Sequence, residues 1–162
     1  MKILWFTSGP LPRICKELGL DPDFTSGSWL IGSSEMLLAD KSVELCICYP
    51  NHEVFNGKID NLYYFSVLPV GKNRTYSDEA KQRVHKIFND FKPDVITIFG
   101  TEHTYQHTMI DICVDDGRAD NTVVWVQGLV SVIAKHFNAG LPEKMIKHKT
   151  MKEWIKNNNL LV

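Results

Sequence analysis

Apolar residues fall into short runs along the chain, and the period of each run predicts an element. Residues 2–7, KILWFT, are an apolar run closed by Ser8, Gly9 and Pro10, which predicts a buried strand at the N-terminus. Residues 43–49 (VELCICY), 62–68 (LYYFSVL), 95–99 (VITIF) and 122–126 (TVVWV) predict four more strands. Pro50 closes the first of these, Gly100 the third, and Gln127 with Gly128 follows the last. Between them the period changes to that of a helix. Residues 29–41 carry apolar side chains at 29, 30, 37 and 38, with Ser26 or Ser28 available as a cap. Residues 77–91 predict an amphipathic helix: Ser77 caps it, Asp78 and Glu79 suit its positive end, and Val84, Ile87, Phe88 and Phe91 form the inner stripe. Residues 104–114, 129–137 and 143–158 also read as helices. Residues 9–27 hold Pro10, Pro12 and Pro22 and predict a long polar loop, of the kind that is usually functional or mobile.

Apolar strands alternating with helices indicate a mainly parallel sheet covered on both faces. The expected fold is therefore α/β: a doubly wound, mainly parallel, Rossmann-like sheet with helices on both faces, forming a single domain over residues 1–162. In such sheets the ligand crevice lies beyond the carboxyl ends of the strands, so the residues just after each strand are the first functional candidates.

Composition narrows the class. At 162 residues, 44% hydrophobic and 23% charged, the chain is long enough for one domain with a real core and too apolar for disorder. A net charge of -1 gives no support to bulk electrostatic binding of nucleic acid. Cys15, Cys46, Cys48 and Cys113 form no Cys-x-x-Cys pair. Cys46 and Cys48 are two apart on a strand, which puts both on one face as small core residues. The first residues do not make a secretory signal, and no apolar stretch approaches the ~18 residues of a membrane span. The expected location is a reducing cytoplasm. Lys144, Lys147, Lys149, Lys152 and Lys156, with apolar residues between them, form a basic amphipathic stretch. It reads as the solvated face of a packed helix, with weak contact at an anionic inner-membrane face as the alternative.

Chemistry-bearing residues gather at three strand ends. Gly9 follows the first strand, Gly27 and Ser28 open the next helix, Gly100, Thr101, Glu102 and His103 follow the fourth strand, and Gln127 and Gly128 follow the fifth. Glycines there allow close backbone approach to a ligand, and equally allow tight strand-to-helix turns. Helix N-termini at Ser28 and near Thr101 offer free N–H groups to polar oxygens. Neither a P-loop, a G-x-G-x-x-G nor a nucleophile elbow G-x-S-x-G occurs. His103 and His107 are four apart, but no third ligand has diagnostic spacing, so no metal is expected.

The ordered set of strand-end motifs resembles the N-terminal domain of family 4 glycosyltransferases of the two-domain GT-B fold. The likeness runs from residue 2 to about residue 142. It rests on ILWFT at 3–7, SGSW at 26–29, PDVITIFGTE at 93–102, VVWVQGL at 123–129 and AGLP at 139–142. The resemblance implies a bacterial acceptor-binding half that meets a saccharide or lipid-linked glycan. The nucleotide-sugar donor would bind mainly a C-terminal domain not contained in these residues, with no required metal or other cofactor. It implies that Gly27 and Ser28 approach the donor phosphates or transferred sugar, and that Gln127 stands where the family usually has a sugar-contacting histidine. Glutamine can hydrogen-bond a sugar hydroxyl but cannot move protons at neutral pH. Glu102 and His103 are then the candidate proton acceptors, with Gly9, Gly27, Ser28, Gly100, Thr101, Gln127 and Gly128 as substrate-binding candidates. The expected activity is transfer of a sugar within a longer enzyme, with the isolated domain inactive. A non-catalytic carbohydrate-binding or regulatory module is the alternative.

Overall fold

Strand β1 (Lys2–Phe6) is buried from Ile3 to Phe6 and pairs with a parallel neighbour on each side, so it occupies the middle of the sheet. The computed structural model describes residues 1–21, 28–68, 76–126, 128–136 and 138–142. After β1 come α1 (Pro12–Leu18), α2 (Ser28–Ala39), β2 (Glu44–Pro50), β3 (Asn56–Ile59), β4 (Leu62–Val67), α3 (Asp78–Phe91), β5 (Val95–Phe99), α4 (Thr104–Asp115), β6 (Thr122–Trp125) and α5 (Val130–His136). The six strands lie in the order β3-β4-β2-β1-β5-β6, and every pairing is parallel except β3 with β4. With β3 set aside, the order is that of a Rossmann-like sheet. The chain divides into two compact units, Met1–Gly128 and Leu129–Val162. The described part of the second contains α5. Among the described residues no helix is long and apolar enough to cross a membrane.

Alternation along the strands sorts the core into two clusters. Leu4, Phe6, Cys46, Cys48, Ile96 and Ile98 point to one side and pack with Val84 and Phe88 of α3 and Met109 and Ile112 of α4. Ile3, Trp5, Leu45, Ile47 and Tyr49 point to the other and pack with Ile14 of α1 and Leu30 and Leu38 of α2. Cys46 and Cys48 thus share a face as small core residues, and all four cysteines are buried free thiols. Helix α3 follows its sequence pattern closely. The Ser77 hydroxyl accepts the Ala80 N–H, and Val84, Ile87, Phe88 and Phe91 are buried.

Three elements depart from expectation. The loop predicted over residues 9–27 contains α1: Pro12 sits in its first turn, where the missing N–H costs nothing, and Gly19 ends it in the left-handed region at φ 65°. Its buried side chains, Leu11, Ile14 and Cys15, have helical spacing. Strand β3 lies in a stretch read as polar connection. It pairs with β4 across a tight turn at Asp60 and Asn61, where Asp60 adopts φ 53° and the Asn61 amide donates to the Val43 carbonyl at 2.9 Å. Gly57 faces Tyr64 so closely that a Cβ would overlap the phenol ring, so glycine leaves the space in which Tyr64 packs. Strand β6 is an apolar run that predicts burial on both faces, yet Val123 and Trp125 are half exposed, and among the described residues the helix ring that lies against Trp125 is Trp29 of α2. The helix predicted over 143–158 lies outside the described residues.

Candidate functional site

From β1 the chain builds outward through β2 to β4, then crosses back to add β5 and β6 on the opposite side. The switch between these directions falls between β1 and β5, the place where open α/β sheets leave a crevice beyond their carboxyl ends. A cleft of about 370 Å³ opens there. Ser8 enters it from the end of β1, Trp29 and Leu30 from the first turn of α2, and Phe99 from the end of β5. Glu102, His103 and Gln106 complete the lining.

The β5–α4 turn is held by its own polar groups. Gly100 has φ 92°, and a Cβ there would collide with the Gln106 amide and the Glu102 carboxylate, so the turn requires glycine. Gln106 is buried, and its amide is used at both ends. Its Nε2 donates to the Phe99 carbonyl at 2.6 Å, and its Oε1 accepts the His103 N–H at 2.8 Å. This clamp joins the last residue of β5 to the first turn of α4. The exposed Glu102 carboxylate accepts the Thr101 N–H at 2.8 Å, among the described residues one bond of the roughly four that a carboxylate can take. The His103 ring stacks on Tyr105 at 5.2 Å between centroids. His107 donates from Nε2 to the Thr101 carbonyl at 3.0 Å, which keeps it on the turn. Among the described residues, no three His, Cys, Asp or Glu side chains group as metal ligands.

The structure brings Glu102 and His103 together in the cleft. Gly100 and Thr101 shape the turn beneath them, with Thr101 presenting its backbone to Glu102 and His107. Gly9 is buried beside a second cleft of about 230 Å³, between the ends of β1 and β2, where Tyr49, Asn51 and His52 also stand. Its carbonyl accepts the Thr7 hydroxyl at 2.7 Å. The Tyr49 hydroxyl is buried with no hydrogen-bond partner among the described residues, and burial pushes its pKa up, which keeps the phenol neutral. Ser28 opens α2, and Gly128 is half-buried at the end of the first unit. Gly27, Gln127 and the Ser28 side chain lie outside the described residues.

Sequence reasoning missed Trp29, Phe99 and Gln106 as parts of the site. Gln106 carries a signal: glutamine at the third helical position after an N-cap is the reciprocal half of a capping box. Trp29 and Phe99 fall within the sequence motifs at 26–29 and 93–102 but are apolar, and so are not counted among the binding candidates. In chemical terms the cleft offers a carboxylate and an imidazole on a rigid turn, backed by aromatic walls. That set suits hydroxyl-bearing ligands better than phosphates, since among the described residues no lysine or arginine lines it. Comparisons with protein-family models, curated proteins and solved structures give no match.

Proposed function

We propose that this chain is the acceptor-side half of a glycosyltransferase resembling family 4, taking a saccharide or lipid-linked glycan into the cleft between the ends of β1 and β5. The observation that carries the reading is the cleft itself: Glu102 and His103, singled out from sequence, line one cavity at the switch point of the sheet together with aromatic rings. In this reading the sheet is doubly wound. Glu102 accepts the hydrogen bond, and in transfer the proton, of the acceptor hydroxyl, while His103 fixes that hydroxyl's direction. Gln106 is a positioning residue that sets the turn. The donor nucleotide-sugar belongs to a second α/β half, so the 162-residue chain alone turns over no donor, since one wall of the reaction cleft supplies binding without proximity. The same reading puts the protein in the cytoplasm, at the inner membrane face where lipid-linked acceptors stand.

The test is a titration of the 15N-labelled chain with neutral disaccharides. Saturable shifts in the amides of Ser8 and residues 99–106, lost in Glu102→Ala, support the reading. Disaccharides that leave those amides unmoved refute it.

A further inference from the structure

One part of the sheet carries more aromatic surface than its packing uses. Thr97 of β5 faces Val123 of β6, and Phe99 faces Trp125, so these four side chains emerge on the same face as Trp5. Trp29 reaches over from α2 and completes a ring cluster. Trp5 meets Phe99 edge-on at 5.1 Å, Trp29 meets Phe99 edge-on at 5.2 Å, and Trp125 lies beside Trp29 at 5.8 Å with a 30° tilt. The two inner rings are buried, whereas Trp29 and Trp125 are 42% and 54% exposed. The inner pair therefore braces the outer pair, which turn ring surface to solvent in a fixed pose. A groove of about 290 Å³ runs over them, lined also by Ser33 and Thr97, with no charged side chain in its lining among the described residues.

Continuity with the cleft decides what this surface is for. Trp29 and Phe99 line both cavities, so the groove is a lateral extension of the site that holds Glu102 and His103. The occupant must therefore carry polar groups at one end and present a flat, uncharged face at the other. It must also meet the Thr97 hydroxyl, which a hydrocarbon chain would leave unpaired, whereas the Ser33 hydroxyl already donates to the Trp29 carbonyl at 3.0 Å. A pyranose ring has this character: one C–H face for an aromatic platform and a rim of hydroxyls.

We propose that Trp29 and Trp125 form a stacking subsite for a neutral pyranose unit, one sugar removed from the hydroxyl held at Glu102 and His103. The subsite rests on the saccharide reading above and extends it: the ligand is at least a disaccharide. Because the rings are pre-braced, stacking demands little reordering of the protein on binding. Selectivity at this position follows the face of the sugar; an axial hydroxyl on the stacked face would be rejected.

The experiment uses the full 162-residue chain and three neutral disaccharides, cellobiose, maltose and N,N'-diacetylchitobiose. It follows the indole N–H signals, assigned by single Trp→Phe substitutions, together with the amides of residues 99–106. At least one disaccharide is expected to shift the Trp29 and Trp125 indoles with the same isotherm as the cleft amides. Trp125→Ala should then weaken binding about tenfold, the scale of one lost ring contact, while Trp125→Phe retains most of it. Trp125 lies half exposed on an edge strand, so its removal leaves the core intact, which an unchanged amide spectrum verifies. If cleft amides shift but Trp125→Ala binds as tightly as wild type, the subsite is overturned and the saccharide reading stands. If no disaccharide shifts either set, both fall. Shifts of the indoles by dodecylphosphocholine with none by any sugar would make the platform a lipid contact and overturn the subsite.

Discussion

Replacing Gln106 with methionine tests the clamp that builds the site. Methionine matches glutamine in length and helix propensity, so the change removes polar contacts with little loss of packing. Two bonds disappear, one to the Phe99 carbonyl at 2.6 Å and one from the His103 N–H at 2.8 Å. Leaving the Phe99 carbonyl unpaired in a buried setting costs about 1–3 kcal/mol, and the half-buried His103 N–H, which water can reach, costs less. The sum is about 2–4 kcal/mol. A urea m-value of about 2 kcal/mol/M turns this into a midpoint lowered by about 1–2 M. Equilibrium urea unfolding followed by far-UV circular dichroism measures it. The variant should also broaden the amide signals of residues 100–104, because the turn loses its tie to β5. Gln106→Glu keeps an acceptor for the His103 N–H but sets a buried carboxylate against the Phe99 carbonyl oxygen, and should destabilise at least as much as methionine. A midpoint within 0.3 M of wild type for Gln106→Met, a bound of about 0.6 kcal/mol at that m-value, would refute the clamp as the origin of the turn geometry.

Gly100→Ala should destabilise by about 1–3 kcal/mol, through the positive φ and the overlap with Gln106 and Glu102, and thermal unfolding reads it directly. Ser77→Ala should cost about 1 kcal/mol by removing the α3 cap, while Ser42→Ala, on an exposed turn, should cost a few tenths; equal losses would refute the cap. Burial raises the thiols of Cys48 and Cys113 from an ordinary 9.0 to about 12 and about 11. Their folded pKa values lie above the unfolded ones, so their contribution to stability is complete below pH 9 and fades as the pH climbs toward 11 to 12. Urea midpoints should decline across that window and decline less steeply in Cys48→Ala, and parallel slopes would count against the assignment. In native protein at pH 8 none of the four thiols should react with a disulfide reagent until urea exposes them.

Where burial alone dictated the pattern, the elements were legible in the sequence. The apolar run at 95–99 and the stripe of Val84, Ile87, Phe88 and Phe91 correspond to β5 and α3. Elements carried by fewer contacts were harder to read. Helix α1 has two turns, and its helical spacing of Leu11, Ile14 and Cys15 was masked by prolines, one of which is a helix-starting residue. Strand β3 belongs to a sheet edge, where polar side chains are admitted and the signal is a glycine making room for Tyr64 on the neighbouring strand. At the site, Glu102 and His103 were found by their place after a strand. Gln106 was not, because its work is done through backbone groups that composition does not display. The exposed half of β6 was concealed for the opposite reason: an apolar sequence looks the same whether its second face meets a helix or solvent.

The central place of β1 has a consequence for how the chain assembles. Its first strand is complete within six residues of the N-terminus, yet the residue that closes its far edge stands 92 positions later, where the Asp94 carboxylate accepts the Lys2 N–H. During synthesis β1 therefore waits as an apolar segment with an unpaired edge. Pairing with β2 relieves one side first, and the other stays open until α3 and β5 have emerged. Folding of this sheet is set by its longest closure, so it should be slow for its size and most prone to aggregate in the interval before β5 docks.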